Sequence, residues 1–142
     1  MMFADVMNET LNEHKAPLRV LLAEASTLVR EGLRQMLAEL DGVSVVGEAS
    51  SCADLQSLLR STPADLILLD LGLPCADIFA ALISHKVVRP QVRVIALSHL
   101  CSPALDQRCL QAGADYVVSK TAGLEQLIKV VRHFARRPPP AV

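Results

Sequence analysis

Four side chains with chemistry to offer stand directly behind short apolar runs. Glu24 follows Leu18-Arg19-Val20-Leu21-Leu22-Ala23 and Asp70 follows Leu66-Ile67-Leu68-Leu69. Ser98 follows Val92-Arg93-Val94-Ile95-Ala96-Leu97, and Lys120 comes just after Tyr116-Val117-Val118-Ser119. Two carboxylates, a hydroxyl and an ammonium are the groups that handle a phosphoryl group. A carboxylate can be the nucleophile and form an acyl phosphate. Paired carboxylates can hold a divalent cation that neutralises the incoming oxygens. The ammonium and hydroxyl can bind the remaining phosphoryl oxygens. Asp70 suits the nucleophile's role: its run is closed by Gly72 and Pro74, and an ionised, half-buried carboxylate needs a cation, donors or water around it. A polar residue at one strand end is ordinary, because strands end at solvent. One behind each of four runs points to a shared site. The sequence holds no GxxxxGK[ST] loop and no GxGxxG turn that would cradle phosphate by other means.

The elements that must position these groups follow from hydrophobic pattern and punctuation. Five short apolar runs read as strands: Leu18–Ala23, Val43–Gly47, the run ending at Asp70, Val92–Leu97 and Tyr116–Val118. Between them lie helical segments. Ser26 or Thr27 caps the first, which places Leu28, Val29, Leu33, Met36, Leu37 and Leu40 on one face. Ser50 or Ser51 caps the second, with Leu55, Leu58 and Leu59 inward and Pro63 behind it. The third runs from about Asp77 to His85, and Pro103 opens a fourth that Gly113 ends. The last buries Leu124, Leu127, Ile128 and Val131 and ends in Arg132, His133, Arg136 and Arg137, cations suited to a helix C-terminus. Strict alternation of strand and helix predicts an α/β fold with a parallel sheet, helices on both faces and right-handed crossovers. In such a sheet the strands' carboxyl ends share one edge, where ligands bind.

Composition narrows the class. At 142 residues, 51% hydrophobic and 20% charged, the chain is long enough for one domain with a real core. Aromatics make up 3% and Trp is absent, so Leu, Val, Ile and Ala must build that core. A net charge of −1 gives no support for direct nucleic-acid binding. No apolar run approaches the ~20 residues of a membrane span, and residues 1–17 do not read as a signal peptide. They read as a flexible lead-in with a short helix from Val6 to His14 as an option; residues 18–137 form the domain and 138–142 a proline-rich tail. Cys52, Cys75, Cys101 and Cys109 form no CxxC pair and have no zinc spacing. They read as reduced thiols of a cytoplasmic protein.

From Leu18 to about Arg137 the chain resembles the receiver domain of two-component response regulators. The resemblance rests on Val20-Leu21-Leu22-Ala23-Glu24, Leu28-Val29-Arg30-Glu31-Gly32-Leu33, Leu68-Leu69-Asp70-Leu71-Gly72-Leu73-Pro74, Val94-Ile95-Ala96-Leu97-Ser98, and Ala112-Gly113-Ala114-Asp115-Tyr116 followed by Lys120. It implies a flavodoxin-like, doubly wound five-stranded parallel sheet in the order 2-1-3-4-5 with five helices. It also implies that Asp70 accepts a phosphoryl group from a histidine kinase or phosphotransfer protein, with Ser98 as switch hydroxyl and Lys120 as the phosphate-pairing lysine. Mg²⁺ would be held by Glu24, Asp70 and the backbone carbonyl of Gly72. The departures are specific. Receivers carry two acids after the first strand, and here the second position is Ala25, which weakens any Mg²⁺ site. Ile78 stands where Gly is common and Thr121 where Pro is common. Val117 occupies the place of the aromatic switch, with Tyr116 one residue before it, and His99 is bulky beside Ser98.

These readings predict a non-enzymatic signalling module, a stand-alone receiver, since only residues 138–142 follow Arg137. The alternative is a degenerate pseudo-receiver that binds partners without phosphorylation. An aspartyl-phosphate hydrolase is disfavoured, because such enzymes want a second acid where Gly72 stands. By the same resemblance, an output protein or a second copy would dock on the face from Pro103 to Arg137, where Glu125, Lys129, Arg132 and Arg136 line the outer side of the last helix.

Overall fold

The computed structural model describes residues 16–100 and 102–136, apart from the side chain of Ala122. The option of a helix from Val6 to His14, the thiol of Cys101, Arg137 and the tail 138–142 lie outside the described residues.

Five strands alternate with five helices: β1 (Leu18–Ala23), α1 (Thr27–Ala38), β2 (Val43–Ala49), α2 (Cys52–Ser61), β3 (Leu66–Asp70), α3 (Ile78–Val88), β4 (Arg93–Ser98), α4 (Pro103–Ala112), β5 (Tyr116–Ser119) and α5 (Leu124–Arg136). A single 3₁₀ turn, Lys120–Ala122, joins β5 to α5. All pairings are parallel, in the order β2-β1-β3-β4-β5. β3 is central and every one of its residues is buried, as expected of a strand covered on both faces.

Side-chain alternation along the strands feeds two cores. Val20, Leu22, Leu66, Leu68, Ile95 and Leu97 pack with Leu33 and Leu37 of α1 and Leu127 and Val131 of α5. On the other face, Leu21, Ile67, Leu69 and Val94 meet Leu55 of α2, Leu82 of α3 and Ala112 of α4. Helix starts use the polar residues the pattern offers: Ser26, Ser51, Asp77 and Ser102 each accept a backbone N–H one turn in.

Some expectations are corrected. Leu28, Val29 and Leu124 are not core residues; Leu28 is 80% and Leu124 54% exposed. All three belong to the first turn of a helix that begins beyond the sheet's carboxyl edge, where no strand lies beneath them. β2 continues past Gly47 to Ala49, and its register against β1 shifts between Val20 and Leu21. Gly47 sits at that irregularity, and a Cβ there would lie 2.9 Å from Leu21 Cδ2, so a larger residue would push the Leu21 side chain aside. α3 runs on to Val88 instead of stopping near His85.

The expectation of reduced thiols is also overturned at two of the four cysteines. Cys52 and Cys75 form a disulfide, with Cα atoms 5.3 Å apart across 23 residues of sequence. Cys52 opens α2 and Cys75 lies in the loop between β3 and α3. The two meet because both segments leave the same edge of the sheet on the same face, a proximity that sequence spacing does not carry. Cys109 is free and buried.

Candidate functional site

The strand register brings the four sequence-predicted groups to one edge. Asp70 pairs with Leu97, and Ser98 with Ser119, so the ends of β3, β4 and β5 step together. Glu24 follows β1 and its N–H donates to Ala49 O at 2.9 Å. Lys120 opens the 3₁₀ turn, which is held by the Thr121 N–H donating to Ser119 Oγ at 3.2 Å. That turn folds the lysine back over the edge.

The centre is a buried ion cluster. Glu24 and Asp70 are each 3% exposed. Lys120 Nζ lies 3.2 Å from Asp70 Oδ1 and also donates a hydrogen bond to Glu24 Oε1. Glu24 Oε2 accepts the Ser26 N–H at 3.0 Å. Asp70 Oδ1 accepts the Gly72 N–H at 3.1 Å. His99 leans over the cluster from solvent, with Nε2 at 3.8 Å from the same oxygen and its side chain 65% exposed. These contacts converge on Oδ1. No described residue donates a hydrogen bond to Oδ2, which a Cβ on Gly72 would approach to 3.4 Å. One ammonium, that of Lys120, therefore faces two buried carboxylates.

Ser98 is at the edge, but its hydroxyl is turned to its own loop. Oγ donates to Leu100 O at 2.9 Å and accepts the Leu100 N–H at 3.1 Å. Gly72 contributes its amide to Asp70. Val117 is partly buried. Tyr116 sits at the opposite end of β5 and packs edge-on against His133 and Phe134, at centroid distances of 6.3 and 5.7 Å.

Arg30 was not anticipated. Its Nη1 donates to the Glu24 carbonyl at 2.8 Å, and its Nε lies 3.3 Å from Glu48. The arginine thereby fixes the backbone that carries Glu24. A cation one helical turn behind the Ser26 cap was the available signal.

A magnesium ion would need near-octahedral oxygen donors, usually one or two carboxylates with water. The residues present do not fit it in this arrangement. Both Glu24 oxygens are engaged by Lys120 and Ser26, and Ala25 brings no donor atom. Among the described residues no three His, Cys, Asp or Glu side chains are grouped to hold a metal. Ala25→Asp is expected to raise Mg²⁺ affinity by at least tenfold, on the scale of about 1.4 kcal/mol per decade, as measured by calorimetric titration. Tight Mg²⁺ binding by the unaltered chain that survives Glu24→Gln would contradict this.

Comparison with known proteins agrees with this fold. A family model described as the response regulator receiver domain matches residues 20–132. The response regulator GacA of Pseudomonas viridiflava is 33% identical over 117 residues, which is 81% of this chain and 54% of the relative. UvrY of Escherichia coli K12 is 32% identical over the same length, 81% of this chain and 53% of the relative. The chain thus spans about half the length of the curated relatives it matches. Among solved structures, the signal receiver domain of NarL from Mycobacterium tuberculosis superposes with a TM-score of 0.78 at 27% identity, covering 87% of this chain and all (100%) of that one. The isolated receiver domain of RcsB from Salmonella enterica serovar Typhimurium gives 0.80 at 23% identity, covering 87% and 92%, and supports the fold alone.

Proposed function

We propose that this chain, which belongs to the response regulator receiver domain family, is a phosphorelay module that takes a phosphoryl group onto Asp70. The observation that carries the reading is the Lys120 ammonium 3.2 Å from the carboxylate of a buried aspartate at the end of the central strand. The donor would be a phosphohistidine on a histidine kinase or phosphotransfer protein. Asp70 Oδ2 attacks phosphorus, the P–N bond breaks, and the imidazole leaves with the electron pair. Lys120 is placed to pair with the phosphoryl oxygens, and the Gly72 N–H orients the carboxylate through Oδ1. The Ser98 hydroxyl would have to leave Leu100 to reach them, which makes it the movable part of the site. Mg²⁺ is a weak partner at most in this reading, and no step depends on it.

A second reading has its own observation. With Glu24 tied to Lys120 and Ala25 without a donor atom, the chain also suits a pseudo-receiver that binds partners unphosphorylated. Incubation with phosphoramidate, with and without Mg²⁺, separates the two. The first reading expects one acid-stable, base-labile phosphoryl adduct, mapped to Asp70 by mass spectrometry. No adduct at any metal concentration selects the second.

Partners rather than nucleic acid are proposed as the means of output, in keeping with the net charge of −1. No helix among the described residues is long and apolar enough to cross a membrane. The face of α4, β5 and α5, within Pro103 to Arg137, offers exposed Glu125, Lys129, Arg132 and Arg136 beside half-exposed Tyr116. A charged face sets orientation and association rate more than affinity. Reversing Lys129 and Arg132 to Glu is expected to slow self-association or capture of an output protein by about tenfold at low salt, with the circular dichroism spectrum intact. Sedimentation that shows a monomer at all salt concentrations, with unchanged capture by the variant, would remove this face from consideration.

A further inference from the structure

We propose that Cys52 and Cys75 form a reversible thiol–disulfide site that exchanges with low-molecular-weight thiols and controls the loop carrying Gly72. The loop spans residues 71–77, between β3 and α3. Its first half is held from within: the Leu71 N–H donates to Leu97 O at 3.0 Å, the Leu73 N–H donates to Asp70 O at 3.0 Å, and the Leu73 side chain is buried. Beyond Leu73 the loop is tied to α2 by the Cys52 N–H donating to Pro74 O at 2.9 Å and by the disulfide itself. Both ties run to the same residue, Cys52. The Gly72 N–H that orients Asp70 lies in the half held from within, three positions before Cys75, and joins the tied half through Leu73 and Pro74.

Two features make the site exchangeable. Cys52 and Cys75 are both partly exposed, so a small thiol can reach the sulfurs. Cys52 is also the first residue of α2, behind the Ser51 cap, where the partial positive charge of a helix N-terminus favours a thiolate. Cys109 is the contrast: it is fully buried, and burial pushes its thiol pKa up. In the reductive direction a small thiolate attacks the Cys75 sulfur. The Cys52–Cys75 bond breaks, Cys52 departs as a thiolate, and a mixed disulfide remains on Cys75. A second small thiolate attacks the outer sulfur of that mixed disulfide and releases Cys75. Two small thiols become one small disulfide, and their two electrons and two protons pass to Cys52 and Cys75. Oxidation by a low-molecular-weight disulfide is the reverse.

The exchange does not depend on phosphorylation; its consequence for Asp70 rests on the function proposed above. The test equilibrates the full chain over a series of glutathione redox buffers, traps free thiols by alkylation and counts them by mass. The expected result is a two-thiol transition mapped to Cys52 and Cys75, lost in Cys52→Ser and in Cys75→Ser and kept in Cys109→Ser. Across the same transition the Gly72 amide resonance should shift. Phosphoramidate should modify the reduced chain severalfold more slowly than the oxidised one, because the Gly72 donor is less firmly placed. No pairing of Cys52 with Cys75 in the most oxidising buffer overturns the site. A Gly72 resonance that ignores the transition overturns its control of the loop. If both forms resist phosphoramidate while the thiol transition and the Gly72 shift occur, the phosphoacceptor reading fails and the exchange site stands.

Discussion

Asp70→Asn is expected to take no phosphoryl group under conditions that modify the unaltered chain, and to be more stable than it. The first effect follows from chemistry. An amide oxygen is a feeble nucleophile, and no other described carboxylate at the edge is free to replace it, since Glu24 is held by Lys120 and Ser26. The second follows from the charge count. Glu24 and Asp70 are both 3% exposed and share one ammonium. Replacing one buried carboxylate with a neutral isostere leaves a balanced pair. The asparagine carbonyl can still accept from Lys120 and from the Gly72 N–H. Burying a charge costs several kcal/mol per ion, so removing the carboxylate that the single ammonium leaves uncompensated is expected to stabilise the chain by about 1–3 kcal/mol, a case of stability surrendered to a functional group. Denaturant melts at neutral pH and phosphoramidate labelling check both halves. A phosphoryl adduct on the Asp70→Asn chain would reject Asp70 as acceptor, and a lower melting midpoint would reject the charge argument.

Lys120→Met is expected to have the opposite sign and the larger size. The side chain is about as long, so packing is roughly kept, but the ammonium that serves both carboxylates is gone. Removing one partner from a buried ion pair typically costs about 3–5 kcal/mol, because the remaining charge has lost its compensation. Lys120 itself is 15% exposed, so water recovers part of this and the lower end of that range applies. A cycle makes the origin visible: Glu24→Gln added to Lys120→Met should return a large part of the loss, because residues in one charge network are not additive. If Lys120→Met melts within about 1 kcal/mol of the unaltered chain, the lysine is not the counter-charge of the cluster.

Much of this molecule is determined locally. Runs such as Leu66–Leu69 are too short and too apolar for anything but a buried strand. Their alternation with amphipathic helices dictates a parallel sheet, and a parallel sheet puts Glu24, Asp70, Ser98 and Lys120 on one edge whatever the details. The caps at Ser26, Ser51, Asp77 and Ser102 follow from residue type alone. Three things required the tertiary structure. Leu28, Val29 and Leu124 fit the helical period but face solvent, because periodicity reports a face and not whether a strand lies beneath that turn. The Ser98 hydroxyl bonds to Leu100, because a side chain's rotamer is chosen by the nearest competing donor and acceptor. Cys52 and Cys75 are joined across 23 residues, because only the crossover connections decide which two loops leave the sheet side by side. Local residue pattern therefore sets the strands, their order of appearance and the residues at the edge. Which of those residues touch was left to packing, since contact between distant positions is a property of the assembled layers and of no segment alone.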